Sequence, residues 1–499
     1  MKLKYHLPIL ALMTAFVIGG CNNNASSPFE SKQQEASSEV SLNVSSEDQT
    51  TSEISLSSDS SSSVSSSKEQ ASSSQVSSSK EQSSSQSSSS SEVEEPTKKA
   101  WTIMIYMCGS DLESDEGLAS EDIKEILSVN NQPDDVNIII ETGGTTKWKS
   151  YNISNRKLSR YHVSNKSLVL DKTLSNASMG KQSTFESFLT WGLTDYPAEK
   201  TGVIIWNHGG ALLGACSDDN YQGDSLLNSE AKAAFSKVLG NQKLEFIGYD
   251  CCLMQVQDIA SFNAPYFNYM VASEESEVGE GWVYDGFIEE VYAKADTDTI
   301  LKTICDDFIT SNDEAYGAEY NDQTLSYLDL SKMAAYKTAF EDLAGSIKSN
   351  IKTSSFTSFV TENVYSYGDD WVTKDDHDYY IENGYYTEDM FASETQYYEG
   401  ETYYYLYGMY DFGSFDAFDF LTQIKKLNLG SAANTKIDNV LALLDELVVY
   451  NKTGDIAKDS GGLAIIFPAD DYVAEYVYKS SETDFTTWHS IVTSKDRAY

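Results

Sequence analysis

Four short apolar runs punctuate the first half of the chain: Trp101–Met107, Val136–Ile140, Gly202–Trp206 and Leu244–Tyr249. Each ends on glycine or on polar residues: Gly109, then Gly143-Gly144, then His208-Gly209-Gly210, and Asp250-Cys251-Cys252. Unbroken apolar runs of this length suit strands buried on both faces. Between them the apolar spacing is helical. Ile123, Ile126 and Leu127 mark a helix over 122–129. Phe185, Phe188, Leu189 and Trp191 mark one over 183–193, and 226–239 is helical by composition. Strands alternating with helices predict an α/β fold with a mostly parallel sheet flanked by helices. Further on, 301–308, 333–347 and 434–450 carry helical spacing. Residues 361–410 hold 13 Tyr among many Asp and Glu and read as an irregular insertion.

The N-terminal fifth has a different pattern. Lys2 and Lys4 precede an apolar run from Leu7 to Gly20, short for a bilayer span of about 20 residues. It reads as the apolar part of a secretory signal. The run stops at Ile18-Gly19-Gly20-Cys21, which resembles a bacterial lipobox. Residues 1–21 are therefore expected to be a lipoprotein signal peptide with Cys21 as the lipidated residue. That would anchor the chain by acyl groups in a bacterial cell membrane, facing outward. Residues 22–97 are dominated by Ser and almost lack aromatics, so they cannot offset their ordering entropy and predict a disordered tether. The core then spans 98–300, and 301–499 forms a C-terminal part that includes the Tyr-rich insertion.

Charge narrows the choice of partner. The 499 residues carry a formal net charge of −42. The tether's twelve acidic and three basic residues, with Lys2 and Lys4 in the signal, leave −35 on the rest. A chain this acidic is a poor fit for nucleic acid, whose phosphates demand cations. Six scattered Cys exclude a disulfide-stapled scaffold. No HExxH, CxxC, Walker or GxGxxG pattern is present. His162, His377 and His489 lack ligand-spaced neighbours and read as surface or packing residues. Asp218-Asp219-Asn220 begins like a calcium loop, but its twelfth position is Ser229.

In parallel sheets chemistry collects beyond the carboxyl ends of the strands. There the third run delivers His208-Gly209 and the fourth delivers Asp250-Cys251-Cys252. If those strands are neighbours, an imidazole meets a thiol, the pairing that generates a thiolate nucleophile. A helix over 254–262 would place its positive end near the thiol. Gly209 has no side chain, so its N–H can approach an oxyanion.

The Asn207-His208-Gly209-Gly210 and Asp250-Cys251-Cys252-Leu253-Met254 segments together resemble the clostripain family of cysteine peptidases. Trp101–Met107, Asp111-Leu112-Glu113, Gly223–Leu226, Ala272–Glu275, Gly281–Tyr284, Leu325–Ser331, Tyr410–Gly413 and Gly462–Pro468 resemble further family blocks in the same order. The resemblance implies a caspase-like fold and cysteine endopeptidase activity on polypeptides with basic residues. By position, His208 is the base and Cys252 the nucleophile. The N–H groups of Gly209 and Cys252 would form the oxyanion site. Cys251 stands where the family usually has Ala and is expected on the opposite face from Cys252. Asp250 would hold the Arg or Lys side chain before the scissile bond, with Glu274 and Glu275 as further candidates. No cofactor or metal is required for that chemistry, and calcium dependence, seen in some of the family, stays open. Family members often cut themselves between the His and the Cys; here Lys232, Lys237 and Lys243 fall on helical or strand-flanking positions. The competing reading is a non-catalytic surface binding lipoprotein on a peptidase-like scaffold.

Overall fold

The computed structural model describes residues 98–494, apart from 352, 369, 375–376, 379–380, 382–390, 399–400, 407–412, 428, 469–473, 475–477 and 479–482. The signal, Cys21 and the Ser-rich tether lie outside the described residues. In order, the chain forms β1 (Lys99–Cys108), α1 (Leu118–Ser128), β2 (Val136–Gly143), β3 (Ser159–Ser164), β4 (Ser167–Thr173), α2 (Gln182–Asp195) and β5 (Ala198–Trp206). Next come β6 (Ala215–Asp218), β7 (Asp224–Leu226), α3 (Asn228–Leu239), β8 (Leu244–Asp250), α4 (Gln257–Asn263) and β9 (Phe267–Ala272). Then follow α5 (Tyr284–Ala293), α6 (Thr297–Tyr316), β10 (Thr324–Asp329), α7 (Met333–Asn350) and α8 (Thr353–Asn363). The remainder contains β11 (Ser366–Tyr367), β12 (Asp370–Thr373), β13 (Phe391–Tyr398), β14 (Glu401–Leu406) and β15 (Ser414–Asp416). It closes with α9 (Ala417–Lys425), α10 (Ser431–Leu447), β16 (Val448–Thr453), β17 (Ala464–Ile466) and α11 (Thr486–Val492).

Nine strands form one sheet in the order β16-β10-β9-β8-β5-β1-β2-β3-β4. The five central strands, β9, β8, β5, β1 and β2, are parallel. Antiparallel strands finish each edge, β3 and β4 on one side and β10 and β16 on the other. The expected α/β architecture is thus present, and strands on both sides of residue 300 share the sheet.

The apolar runs explain the layers. Alternate residues of β1 leave the sheet in opposite directions. Met104 and Tyr106 join Val203, Ile205 and Ile247 in a core beneath α2, α3, α4 and α7. Ile103, Ile105 and Met107 join Ile204, Trp206 and Phe246 beneath α1, α5 and α6. Complete burial of one such side chain contributes about 1.5–3 kcal/mol. Both faces are covered, which is why these strands read as continuous rather than alternating apolar runs.

Three expectations change. The helix expected over 254–262 begins only at Gln257, after a turn in which Leu253 adopts a left-handed φ of 62°. The helix expected over 434–450 gives way to strand at Val448, where β16 pairs with β10. The Tyr-rich insertion is not irregular throughout, because β12, β14 and β13 pair antiparallel within it.

Candidate active site

Three adjacent strands, β8, β5 and β1, end at the same edge and bring together residues far apart in sequence. β5 leads into Asn207 and His208, β8 into Cys251 and Cys252, and β1 into Ser110 and Asp111. Asn207 ties these ends together. Its Nδ2 donates to the Cys108 carbonyl (2.6 Å) and to Ser110 Oγ (2.7 Å). Its Oδ1 accepts from Ser217 N (2.7 Å), and its own N–H donates to the Asp250 carbonyl (3.3 Å). Four segments are therefore fixed by one buried amide.

His208 is 3% exposed, and its Nε2 lies 2.9 Å from Asp111 Oδ1. Burial tends to raise the Asp111 pKa, but the His208 contact and Ser110 outweigh it and hold the carboxyl below its usual range. A carboxylate so placed orients an imidazole and stabilises its protonated form. This partner was missed in the sequence. Its signal was only that Asp111 follows the strand beside β5.

Cys252 is buried, and its Sγ lies 3.7 Å from the Glu277 carbonyl. Burial, then the Glu277 carboxyl, pushes the thiol up to about 12, while hydrogen bonding from the backbone at Glu277 and Gly209 acts the other way. The helix that was to assist the thiol starts five residues later, so no helix end acts on Cys252. Cys251 turns elsewhere, with its Sγ 3.4 Å from the Ile205 carbonyl. Gly209 packs so closely that a Cβ on it would meet the Cys252 carbonyl oxygen at 2.2 Å.

His208, Asp250, Cys251, Cys252 and Glu277 line one cleft, together with Leu112, Trp206, Asn207, Val278, Gly279 and Gly281. The cleft is open, and its empty space together with the solvent at its mouth is about 350 Å³. Asp250 accepts from the Tyr284 hydroxyl (2.8 Å) and from Trp282 N (3.2 Å). Gly281, at φ 65°, lies against it, and a Cβ there would meet Asp250 Oδ1 at 2.8 Å. Burial pushes the Asp250 carboxyl up to about 7 despite the bonds from Tyr284, Trp282 and Glu277. Glu277 is raised as well, by burial and by the charge of Asp250, and accepts from Trp282 Nε1 (3.4 Å). Among the described residues neither forms an ion pair with Lys or Arg. Two buried acids side by side, both raised and with no cation beside them, are suited to bind a proton or a cation.

Glu274 and Glu275 do not line this cleft. Glu274 bonds Tyr367 and Ser460, and Glu275 accepts from Ser276 N and Gly368 N (both 2.7 Å). Glu277, two residues beyond, supplies the second acid. Its sequence signal was an acid following β9, the strand next to β8. Of the three lysines between His208 and Cys252, Lys232 and Lys237 sit in α3, with Lys237 paired to Glu186 (2.5 Å). Lys243 donates to the Phe267 carbonyl (3.3 Å). Asp218 accepts from Met179 N (2.8 Å) and Asn220 N (2.9 Å). Among the described residues no group of three or more His, Cys, Asp or Glu is arranged to hold a metal ion. Nor is any described helix long and apolar enough to cross a membrane.

Known proteins resemble this chain in sequence and fold. Clostripain of Hathewaya histolytica is 24% identical over 469 residues, covering 81% of this chain and 83% of that one. Among solved structures, iotapain, a secreted C11 cysteine protease of Bacteroides thetaiotaomicron, matches with a TM-score of 0.55 at 16% identity. That match covers 79% of this chain and 100% of iotapain. An inactive zymogen C11 protease from Parabacteroides distasonis matches at 0.53 and 17% identity, over 80% of this chain and 99% of its own. These likenesses show the fold. The sequence model of the clostripain family runs from Ile105 to Ser490, from the first strand to the last helix, and on that breadth the chain belongs to the clostripain family of cysteine peptidases.

Proposed function

We propose that this cysteine endopeptidase uses Cys252 and His208, cleaves after Arg or Lys, and works outside the cell from a lipid anchor. The observation that carries the specificity is the single cleft holding the thiol, the imidazole and two buried acids without a cation.

The thiol is neutral at rest, so His208 takes its proton as the sulfur attacks the scissile carbonyl carbon. Asp111 holds the ring and stabilises the imidazolium. The N–H groups of Gly209 and Cys252 receive the oxyanion. Collapse expels the amine, which takes the proton back from His208, and leaves a thioester on Cys252. Water, deprotonated by His208, then releases the acid and the free thiol. An Arg or Lys side chain enters the cleft and pairs with Asp250 and Glu277, displacing their shared proton. Cys21 would carry the lipid, joined to the peptidase by the Ser-rich segment.

The test uses the purified full-length chain, reduced, on peptide amides ending in Arg, Lys, Ala or Asp, with and without calcium. Cleavage after Arg or Lys should vanish in Cys252→Ala and persist in Cys251→Ala. Loss in Cys251→Ala alone would move the nucleophile. Preference for Ala or Asp would remove the basic specificity.

A further inference from the structure

The loop after β9 carries Glu277 into the cleft, and it is moored from behind. Glu274 Oε1 accepts from the Tyr367 hydroxyl (2.8 Å), and Oε2 from Ser460 Oγ (3.2 Å). The same Tyr367 hydroxyl lies 2.8 Å from Asp416 Oδ2 and also bonds Ser460. Asp416 further accepts from Gly461 N (2.7 Å) and Asp419 N (2.5 Å). Next along the loop, Glu275 accepts from Gly368 N, and its carbonyl takes Leu253 N (3.0 Å), one residue from Cys252. Glu274 and Asp416 are fully buried.

One phenol has one hydrogen, yet Tyr367 stands between two carboxyl oxygens and a hydroxyl. Tyr367 and Ser460 together bring two hydrogens to four contacts. A third proton, on Glu274 or Asp416, is needed to keep one carboxyl from facing the other as a bare charge. Around Glu274 the titratable groups are Asp416 and Asp419 from β15 and α9, Tyr367 from β11, and Glu275 on its own loop. From β10 comes only the Thr324 hydroxyl, which accepts the Glu274 N–H (3.2 Å). Among the described residues no Lys or Arg pairs with either carboxyl.

We propose that Glu274 is a positioning residue: a proton it shares with Asp416 through Tyr367 holds the Glu277 loop against Cys252, and its loss releases that loop. The proposal rests on the peptidase reading above. Burial and the Asp416 charge push Glu274 up to about 8, so the mooring is intact at neutral pH and opens above it. At pH 9 only ~10% would remain protonated. The sign for stability follows. The folded chain holds this proton more tightly than the unfolded one, so stability falls as pH rises from the ordinary carboxylate range through about 8.

The experiment compares the full-length chain with Glu274→Gln, an isostere of the protonated form, on an Arg peptide amide from pH 6 to 9.5. Arg keeps its charge throughout that range. Wild type should lose about fivefold in kcat/KM between pH 7 and 9, a roughly tenfold loss of the mooring proton offset about twofold as Asp250 ionises. Glu274→Gln should match it within about twofold at pH 7 and hold that activity at pH 9. Urea unfolding at pH 7 and 9 provides the second measurement, with wild type losing stability and Glu274→Gln not. Parallel alkaline limbs in two active proteins would overturn the positioning role and leave the peptidase reading standing. A folded Glu274→Gln that is inactive at pH 7 would overturn it as well. If wild type hydrolyses nothing at any pH, the peptidase reading falls and takes the positioning role with it. Unfolding then still judges the shared proton, which equal losses in both proteins would refute.

Discussion

Gly209→Ala is the sharpest test of the site, because the new methyl has nowhere to go. Its Cβ would meet the Cys252 carbonyl oxygen at 2.2 Å, Cys251 Cβ at 2.9 Å and Met254 Cγ at 3.0 Å. The first contact is with main chain, so no side-chain rotation relieves it. Restoring an ordinary separation opens the His208 loop from the Cys252 turn by about 1 Å. Overpacking of this kind costs about 1–3 kcal/mol, which a domain of this size survives. The kinetic cost is larger. A misplacement of about 1 Å lowers rates on the order of 100-fold, and moving one oxyanion donor costs about 100- to 1,000-fold. The two effects overlap rather than multiply, so the expected loss in kcat is at least about 100-fold, or ~2.7 kcal/mol. KM for an Arg peptide amide should barely change, because Asp250 and Glu277 are untouched. The assay is steady-state hydrolysis beside a thermal melt. A folded variant with kcat within about threefold of wild type would refute the proposed geometry, since that change is under 1 kcal/mol.

Two further outcomes follow from the cleft. Asp111→Asn keeps the shape but removes the charge that supports the imidazolium; kcat should drop about 100-fold or more with KM steady, and a loss under about threefold would deny Asp111 that role. Asp250 is pushed up to about 7, so its carboxyl is protonated in acid and ionised, ready for a cation, above that pH. KM for an Arg amide should therefore fall about tenfold from pH 6 to 8, and Asp250→Asn should raise KM and abolish the slope; an unchanged slope in the variant would place the titration elsewhere.

The sheet was legible where burial on both faces wrote it into the sequence. Trp101–Met107, Val136–Ile140 and Leu244–Tyr249 fall inside β1, β2 and β8 within a few residues. β5 was read short, because Ala198 to Thr201 are polar or only partly covered and lack the apolar signal. The edge strand β4 went unread for the same reason: nearly every residue of it is solvent-exposed. In the site, His208, Cys252 and Asp250 were legible because each ends a readable strand. Asp111 carries only the family likeness in sequence, since nothing local says that β1 lies beside β5. Glu274 and Glu275 lie outside the cleft, which Glu277 lines. Beyond β9 the chain is neither strand nor helix, so no periodicity tells which of three neighbouring acids turns toward the thiol and which toward Tyr367, 93 residues away.

If Asp250 and Glu277 share a proton and take up Arg or Lys as proposed, substrate capture is an ion exchange. The empty cleft already carries its own counter-ion, so an arriving guanidinium replaces one positive charge with another instead of filling a bare anionic hole. A neutral side chain has nothing to trade and must leave the proton where it is. Discrimination between the two then depends on the acidity of the surroundings as well as on the shape of the cleft. Under the proposed pairing, selectivity for basic sequences would be steepest in neutral or alkaline surroundings and weakest in acid.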